Sequence, residues 1–457
     1  MSGLLDAVIA HKARMQGTLL PSDALQAVKT FILDSLAVGI AGFRAPLTEK
    51  VRAAAIPWGP LGTAPLFGPG SISVSAGAAA FVNGFQIHCQ EYDCVHEPAV
   101  VHPMATIFAA LSADVTGRRA CISGSDFATA ISLAVDFATT LGVAVQSPIR
   151  FFRPANAGLF GATLGICALR KLNDDQTRDA IGYALSFNAG TMQAHVEGKP
   201  ALPLQIAHAA RASVMACDLA EAGVPGTHDS LEGSYGYFAL FEEKVDITGL
   251  AETLGRTHRI LEVSHKPFPT GRAAQGGIVL AQKVHDEGIA AQQIESLILS
   301  APPLIERLVG RPLSNRMTAN YARLCFPYVG AVTLRKGTVG LQDFSQAALE
   351  DSATLCLAKR IRVQTNHITS PSAFTPQTLT VQLTDGSSTS WSTETVYGSP
   401  NDPMDQAAQK AKLASCLQFA YGLAQPDFAE DLWGAVFSLE ELGDINSLFS
   451  LADFGEA

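Results

Sequence analysis

The amino-acid sequence predicts a mainly α protein, in which a large all-helical domain contains an inserted, smaller α+β domain. Two observations support this prediction. Apolar residues recur with a helical period through the first 256 residues, and β-branched runs appear only beyond that point. Past Pro403 the chain returns to a helical pattern. We therefore expect a helical domain of residues 1–256 plus 403–457 and an α+β domain of residues 257–402.

The helical domain is predicted from a series of Ala-rich apolar segments. The clearest is Ser22–Gly42, where Ser22 is placed to cap the first turn. Asn173 and Gln176 have the spacing of a capping box. Several segments are apolar nearly all round, which is typical of helices at the centre of a bundle. The other predicted helices are 73–88, 103–116, 125–144, 157–171, 174–187, 203–222, 404–421 and 438–453.

The α+β domain is predicted from β-branched runs separated by helical patterns. Asp385-Gly386 lies between the last two runs and is a hairpin signal. Helical patterns intervene at 271–285 and 317–336. The predicted strands are 258–263, 294–300, 361–365, 379–383 and 390–396.

Composition excludes several classes of protein. Hydrophobic residues make up 47% of the 457 residues and charged residues only 16%, which excludes a disordered chain. The net charge of −10 disfavours a nucleic-acid partner. Apolar stretches such as 127–135 are too short to span a membrane, and the N-terminus lacks a secretory signal. We expect a cytoplasmic protein with no membrane partner, whose eight scattered cysteines are reduced core residues.

One stretch, residues 88–103, concentrates three histidines, His88, His96 and His102, beside three carboxylates. A loop that holds imidazoles beside carboxylates can supply a general acid–base pair. The alternative is a polar interhelical loop in which the histidines satisfy backbone carbonyls. A metal site is disfavoured, because His96 and His102 do not share one helical face and no HExxH motif occurs.

Two further segments carry candidate residues. Lys266 and Arg272 lie in a proline-stiffened turn and could bind a substrate carboxylate, Arg272 in bidentate fashion. The alternative is a solvated basic turn. Pro327 breaks a helical pattern and presents Tyr328, for which core packing is the default expectation. The sequence has no GxGxxG after a strand, no GxxxxGK[ST] and no GxSxG, so cofactor-free acid–base catalysis remains.

Five landmarks in chain order resemble those of the 2-methylcitrate dehydratase (MmgE/PrpD) family: Phe31–Gly42, Ala78–Gly84, the loop ending at His102-Pro103, Lys266–Pro269 and Ala322–Tyr328. That family includes 2-methylcitrate dehydratase, cis-aconitate decarboxylase and iminodisuccinate epimerase. The resemblance implies a homodimer with its active site between the two domains, a small polycarboxylate substrate, and no metal or other cofactor.

By position, His102 matches the histidine of the family's His-Pro motif, Lys266 its Lys-Pro motif, and Tyr328 the tyrosine near its Phe-Ser-x-x-Tyr stretch. Three segments depart from the family. Where the family has Asp-Phe-Asp-Asp-Thr-His, this chain has the segment Glu91–His96. Arg153-Pro154 stands where the family has a His-Pro pair, and Leu202 aligns with a lysine of the family. The resulting expectation is that His102, Lys266, Asp93 and His96 are catalytic, and that substrate binds Glu91, Arg153, Lys199, Arg272 and Tyr328.

The leading hypothesis is a cofactor-independent lyase, a dehydratase, hydratase or decarboxylase, that acts on a small di- or tricarboxylic acid. An isomerase or epimerase, in which the same proton abstraction is followed by reprotonation, is the first alternative. A non-catalytic paralogue that binds acids is the second. Helices that are apolar all round, such as 125–144, exceed what one bundle readily buries, so we also expect a homodimer formed mainly through the helical domain.

Overall fold

The described chain, residues 3–70, 72–314, 316–370 and 372–451 of a computed structural model, contains 21 α-helices and six β-strands. The helices are α1 Leu4–Met15, α2 Ser22–Gly42, α3 Thr48–Ala55, α4 Ala76–His88, α5 Pro103–Arg118, α6 Gly124–Val143, α7 Arg153–Leu169, α8 Asp174–Ser186, α9 Gln193–Glu197, α10 Ala201–Glu221, α11 Tyr237–Phe241, α12 Leu250–Thr253, α13 Arg272–Asp286, α14 Pro303–Val309, α15 Ala319–Ala322, α16 Phe326–Lys336, α17 Gln346–Leu349, α18 Ser352–Ala358, α19 Gln406–Tyr421, α20 Pro426–Phe437 and α21 Asn446–Leu451. The strands are β1 Ala64–Pro65, β2 Ser73–Val74, β3 Ile294–Ala301, β4 Ile361–Thr365, β5 Gln377–Leu383 and β6 Ser388–Thr393. The mainly α fold class is therefore confirmed.

The larger hydrophobic core is helical and draws on both ends of the chain, from Leu4 to Val263 and from Leu413 to Phe449. Its centre contains α5, α6 and α7, whose residues are buried on almost every side. Small residues let these helices approach closely: a Cβ on Gly161 would lie 2.4 Å from the carbonyl oxygen of Ala134. The prediction of central helices that are apolar all round is thus correct.

The second core is formed by a four-stranded sheet with helices packed on it, mainly α13 and α16. The strand order is β4-β3-β5-β6, with β3 and β4 parallel and the other neighbours antiparallel. The β5–β6 hairpin turns at Asp385-Gly386, where Gly386 has a φ of 88°, as the sequence predicted. The limits of the two domains stay a prediction.

Several local predictions are wrong for identifiable reasons. Residues 258–263 form a 3-10 turn, Arg259–Glu262, because the Asp136 carboxylate accepts the backbone N–H of Arg259 and, in the described part of the chain, no strand pairs with the segment. Ser22 does not cap α2, since Pro21 precedes it as the N-cap residue. The capping box of Asn173 and Gln176 is confirmed by both hydrogen bonds.

Other differences concern helix limits. The predicted helix 317–336 divides into α15 and α16, with Pro327 in the first turn of α16. The predicted helix 438–453 divides into a short 3-10 turn and α21, and its last two residues lie outside the described residues. The sequence analysis did not predict the short β1–β2 pair or helices α1, α3, α9, α11, α12, α14, α17, α18 and α20. Cys121 and Cys356 are exposed, so they are not core residues, whereas the other cysteines are buried.

Two helices, α2 and α6, are long and apolar enough to cross a membrane by length and composition alone. Their most apolar windows are 78% and 89% buried inside this chain, as expected for core helices of a soluble protein. The burial of α6 also removes the reason given for a dimer, because a single chain covers that helix. The homodimer and the cytoplasmic location both remain predictions.

Candidate active site

Three of the predicted site residues, His102, Glu91 and Arg272, line a small cavity between the two cores. Its volume is about 80 Å³. His88, His102 and Phe152 contribute to one side, and Arg272 and Phe374 to the other. A groove of about 820 Å³ lies between α1, α6 and α8, but none of the predicted site residues lines it. The small cavity is therefore the candidate active site.

The loop between α4 and α5 brings the acid–base residues together. Helix α4 ends at His88 and α5 begins directly after His102, so both histidines lie where a helix meets this loop. Glu91 has a left-handed φ of 52°, which reverses the chain direction. Val95 exchanges two backbone hydrogen bonds with Ser264. This pairing places the loop against the segment that contains the predicted lysine.

Asp93 is the centre of the site. Its carboxylate oxygens lie 3.0 Å and 3.1 Å from Nδ1 of His88, and one of them lies 3.1 Å from Nδ1 of His102. The two imidazole rings meet edge to face, with centroids 4.8 Å apart. Because an ionised carboxylate only accepts hydrogen bonds, both Nδ1 atoms donate, and the Nε2 atom of each ring is left for other partners.

The electrostatics move the pKa values of the two histidines in opposite directions. Burial alone would raise the pKa of Asp93, but the attraction of His88, His102 and Lys266 outweighs it and holds that pKa well below its usual range. Burial also opposes protonation of His88, yet the attraction of Asp93 raises its pKa above the usual imidazole value. For His102, burial prevails over Asp93 and, together with the repulsion of Lys266, lowers the pKa. The pair thus favours a neutral imidazole at His102 and a protonated one at His88.

Lys266 lies beneath the cavity and does not line it. Its ammonium donates to the backbone carbonyl of Glu91 at 3.1 Å and to the Glu91 carboxylate at 3.2 Å, and it lies 3.8 Å from Asp93. Although burial opposes it, the attraction of Lys266 lowers the pKa of Glu91 to about 2. Lys266 is therefore the main cation that keeps Glu91 ionised, and it adds to the attraction of the two histidines for Asp93.

His88, Asp93 and His102 also form a donor set that could hold a metal ion, since their ligand atoms lie within 4.8 Å of one another. Two features favour hydrogen bonding instead. Both Nδ1 atoms are already at hydrogen-bond distance from the carboxylate, and the Lys266 ammonium is 3.8 Å from the same group, so a metal cation would face another cation.

Three buried residues outside the predicted set support the site. The Lys412 ammonium donates to the carbonyl oxygens of Tyr92 and Lys266 at 2.9 Å and 2.8 Å. It also pairs with Asp34 at 2.6 Å, and Asp34 accepts from His265 Nε2 at 2.9 Å. No local sequence signal indicated Lys412, because its partners lie in distant parts of the chain.

His96, predicted to be catalytic, does not line the cavity. Its Nδ1 accepts the backbone N–H of Ala99 at 3.1 Å, and its Nε2 lies 2.7 Å from a carboxylate oxygen of Glu262. Both ring nitrogens are therefore engaged in holding the loop, as in the alternative of a polar interhelical loop, although the partners are a backbone N–H and a carboxylate and not backbone carbonyls.

The predicted arginines are both engaged by protein groups. Arg153 forms a two-bond ion pair with buried Glu242, at 3.1 Å and 3.3 Å, and donates to the carbonyl of Ala99. Its side chain does not line the cavity. Arg272 does line it, and its Nε donates to Glu97 at 2.6 Å while its Nη atoms donate to Gln275 and to two backbone carbonyls.

The structure does not bring Tyr328 to the cavity. It is fully buried in the second core, where its hydroxyl donates to the carbonyl of Asp343 at 2.6 Å, in line with the default expectation of core packing. Lys199 is exposed and lines a separate, smaller recess that shares His88 and Glu91 with the main cavity. Leu202 lines both spaces.

His195 is a cavity residue that the sequence analysis missed. It comes from the short helix α9 and is buried. Burial, reinforced by the positive charge of Arg311, lowers its pKa to about 4, so it presents a neutral imidazole. An Nη atom of Arg311 donates to the His195 carbonyl at 3.2 Å. A lone histidine on a short helix carries no motif that would have identified it.

Comparison with known proteins agrees with this architecture. The MmgE/PrpD N-terminal domain model matches residues 9–250, and the MmgE/PrpD C-terminal domain model matches residues 268–430. A cis-aconitate decarboxylase-like protein of Aspergillus oryzae is 26% identical over 462 residues, which cover 94% of this chain and 93% of that protein. Cis-aconitate decarboxylase of Mus musculus is 25% identical over 439 residues, covering 93% and 88%, and that of Homo sapiens is 24% identical over 445 residues, covering 93% and 90%.

Proposed function

This chain belongs to the MmgE/PrpD family, and from that premise we propose that it is a cofactor-independent lyase that removes CO₂ or water from a small carboxylic acid by general acid–base chemistry. The relatives named as cis-aconitate decarboxylases support the lyase class. The observation that carries the proposal is the single aspartate, Asp93, which two histidines share within hydrogen-bond distance and whose surroundings move their pKa values in opposite directions.

His102 is the proposed general base. Its Nδ1–H donates to Asp93, which fixes the tautomer and leaves the Nε2 lone pair available. Among the described residues, no side chain is within hydrogen-bond distance of that Nε2, and His102 lines the cavity. A neutral imidazole oriented by a carboxylate can remove a proton from the carbon next to a substrate carboxylate.

His88 is the proposed general acid. Its Nε2 is buried without a hydrogen-bond partner and lies 3.8 Å from the nearest Glu91 carboxylate oxygen. Two titratable groups whose pKa values are moved apart are the pattern expected of an acid and a base. His88 was part of the histidine-rich stretch noted in the sequence, but no role was predicted for it.

Loss of water would use both residues, whereas loss of CO₂ would use the proton of His88 alone. For loss of water, His102 takes the carbon-bound proton, the electron pair forms the new double bond, and the hydroxyl leaves with the proton of His88. For loss of CO₂, the carbon–carbon bond to the carboxylate breaks, and the electron pair left on carbon takes the proton of His88. Each pathway uses protein groups alone for proton transfer.

A mass-spectrometric screen of small mono-, di- and tricarboxylic acids, hydroxylated and unsaturated, tests this proposal. We expect one acid to lose 18 or 44 mass units in the presence of the enzyme. If no acid is consumed, the lyase proposal fails, and a paralogue that only binds acids becomes the better account.

An isomerase or epimerase is the second candidate, favoured by the same pair of histidines, because one could remove a proton and the other could return it. Incubation in D₂O distinguishes the epimerase from the lyase. Exchange of the carbon-bound hydrogen without an alkene or CO₂ supports the epimerase, whereas an alkene or CO₂ product supports the lyase.

A further inference from the structure

Among the described residues, five polar or charged side chains line the cavity, and four of them already have a role or protein partners. His88 and His102 are the proposed acid and base. Glu91 is paired with a buried ammonium from beneath the cavity. Arg272 donates through Nε and both Nη atoms to protein acceptors. The fifth side chain, His195, takes no part in the proposed steps.

One charge of the proposed reaction still needs a partner at the wall. Loss of a proton or of CO₂ leaves an electron pair on carbon, and this pair can spread onto an oxygen of a neighbouring substrate carboxylate. Enzymes stabilise such a developing charge with hydrogen-bond donors that are already in place. His102 and His88 are used to move protons, and Lys266 does not line the cavity. A further donor at the wall is therefore expected.

The contacts of His195 determine which of its ring nitrogens carries the proton. One Nη atom of Arg311 lies 3.4 Å from His195 Nε2 and donates to the His195 backbone carbonyl at 3.2 Å. A guanidinium has no acceptor, so Nε2 is the acceptor and the proton lies on Nδ1. Among the described residues, Nδ1 has no hydrogen-bond partner, and it is not one of the fully buried polar atoms. The Nδ1–H group is therefore an unused donor that is open to the space lined by His195.

Arg311 places a positive charge directly behind this imidazole. Its guanidinium stacks on the ring of Tyr321, 4.9 Å from the centroid, and its Nη1 atom is buried without a hydrogen-bond partner. Glu91 attracts Arg311 only from a distance, since the Glu91 carboxylate is paired with Lys266. A cation that accepts no carboxylate partner and contacts Nε2 strengthens the opposite N–H as a donor.

The same surroundings keep His195 uncharged. Burial opposes protonation, and the positive charges of Arg311 and Arg307 reinforce this effect against the attraction of Glu91, so the pKa is lowered to about 4. At neutral pH the ring is neutral, and it can donate a hydrogen bond without giving up its proton. A neutral imidazole is a suitable electrophile for a carboxyl or carbonyl oxygen that gains negative charge.

Taking the cavity beside His102 as the substrate site, and thus resting on the proposed function, we infer that His195 is a further catalytic residue whose Nδ1–H donates to the substrate carboxylate oxygen on which negative charge develops. In loss of water, His102 takes the carbon-bound proton and the electron pair spreads onto that oxygen. The pair then forms the double bond as the hydroxyl leaves with the proton of His88. The His195 proton stays on nitrogen throughout, and Arg311 is its positioning residue.

Steady-state kinetics on the acid identified by the mass-spectrometric screen test the inference. In His195→Leu the donor is absent, and we expect kcat to fall about 10²- to 10³-fold, the loss typical of one such donor, with KM within about threefold. His195→Asn places an amide N–H near the position of Nδ1 and should recover at least about tenfold of that loss. His208→Leu, at an exposed position on the next helix, is the control and should keep wild-type kcat.

The spectrum of the ring nitrogens separates this role from a purely structural one. In protein labelled with ¹⁵N-histidine, the signals that disappear in His195→Asn belong to His195. They should show a proton on Nδ1 alone and a ring that stays neutral from about pH 8 to about pH 5, because its pKa is about 4. In Arg311→Met the repulsion is lost, so the ring should become protonated at a higher pH and kcat should fall.

Three results would overturn the inference: wild-type kcat in His195→Leu, equal kcat in His195→Leu and His195→Asn, or a wild-type ring with its proton on Nε2. An Arg311→Met variant with unchanged spectrum and kcat would show that Arg311 has no positioning role. If His102→Gln loses turnover while His195→Leu keeps it, the lyase proposal stands and this inference alone fails. If the screen finds no acid that is consumed, the two fail together.

Discussion

Asp34 and Lys412, from opposite ends of the chain, form an ion pair that is buried at both residues, with 2.6 Å between Oδ1 and Nζ. The same ammonium donates to the carbonyls of Tyr92 and Lys266. The Tyr92 carbonyl directly precedes Asp93 in the chain, and the other carbonyl belongs to Lys266 itself. The pair therefore connects the terminal helices to both segments on which the chemistry depends.

Replacement of Lys412 by Met is expected to lower both stability and turnover. Removing one partner of a buried ion pair costs about 3–5 kcal/mol, because the remaining charge is left without compensation. Loss of the two carbonyl contacts also releases the segments that carry Asp93 and Lys266. We expect kcat to fall at least about tenfold, with KM changed less, as measured by steady-state kinetics and urea unfolding.

The double variant Asp34→Asn with Lys412→Met separates positioning from simple destabilisation. Removal of both charges should recover much of the unfolding free energy, whereas kcat should stay low because the carbonyl contacts are still absent. Lys410→Met, on the same helix but with a side chain that is 43% exposed, is the control. Recovery of kcat together with stability would show that Lys412 has no positioning role.

Replacement of His102 by Gln is expected to lower turnover by about 10²- to 10⁴-fold, the contribution typical of a general base. Glutamine preserves hydrogen-bonding capacity but cannot take a proton from carbon. Steady-state rates on the substrate found by the mass-spectrometric screen provide the measurement. His367→Gln, at an exposed position, is the control, and wild-type turnover in His102→Gln would mean that another group is the base.

The pH dependence of turnover should be bell-shaped. His102 must be neutral and His88 protonated, and their pKa values lie below and above the usual imidazole value, respectively. The rate therefore rises with pH through the pKa of His102 and falls through that of His88. In Asp93→Asn the attraction that raises both pKa values is gone, so both limbs should move to lower pH. Unmoved limbs would exclude these histidines as the acid and base.

Local motifs predicted the centre of the site but not its surroundings. His102, Asp93, Glu91 and Lys266 lie in two short stretches that the sequence singled out, and the structure brings them together. Lys412 and Asp34 could not be found this way, because their roles depend on packing between distant helices. In the same way, the sequence of residues 258–263 predicts a strand. The structure has a 3-10 turn there, and only the contact of the Asp136 carboxylate with the Arg259 amide explains it.

Oligomeric state can be measured directly. The buried helix α6 gives no support to a dimer, so the expectation now rests on family membership alone. Light scattering at micromolar concentration should give about twice 48.1 kDa if the homodimer forms. A mass near 48.1 kDa that persists on raising the concentration would contradict the dimer.

Arg153 offers the clearest test between substrate binding and structure. It was predicted to bind substrate, but its guanidinium pairs with Glu242, and both side chains are 5% exposed. Arg153→Gln should therefore cost about 3–5 kcal/mol of unfolding free energy and leave KM within about twofold, because no substrate contact is lost. Urea unfolding and steady-state kinetics measure the two effects.

A neighbouring pair provides the matched control for this variant. Arg150 and Glu243 form an ion pair between the same two segments, but their side chains are 59% and 54% exposed. Because exposed pairs contribute only about 0–1 kcal/mol, Arg150→Gln should scarcely change stability. The double variant Arg153→Gln with Glu242→Gln should recover part of the loss. A large rise in KM with unchanged stability in Arg153→Gln would instead assign this arginine to the substrate.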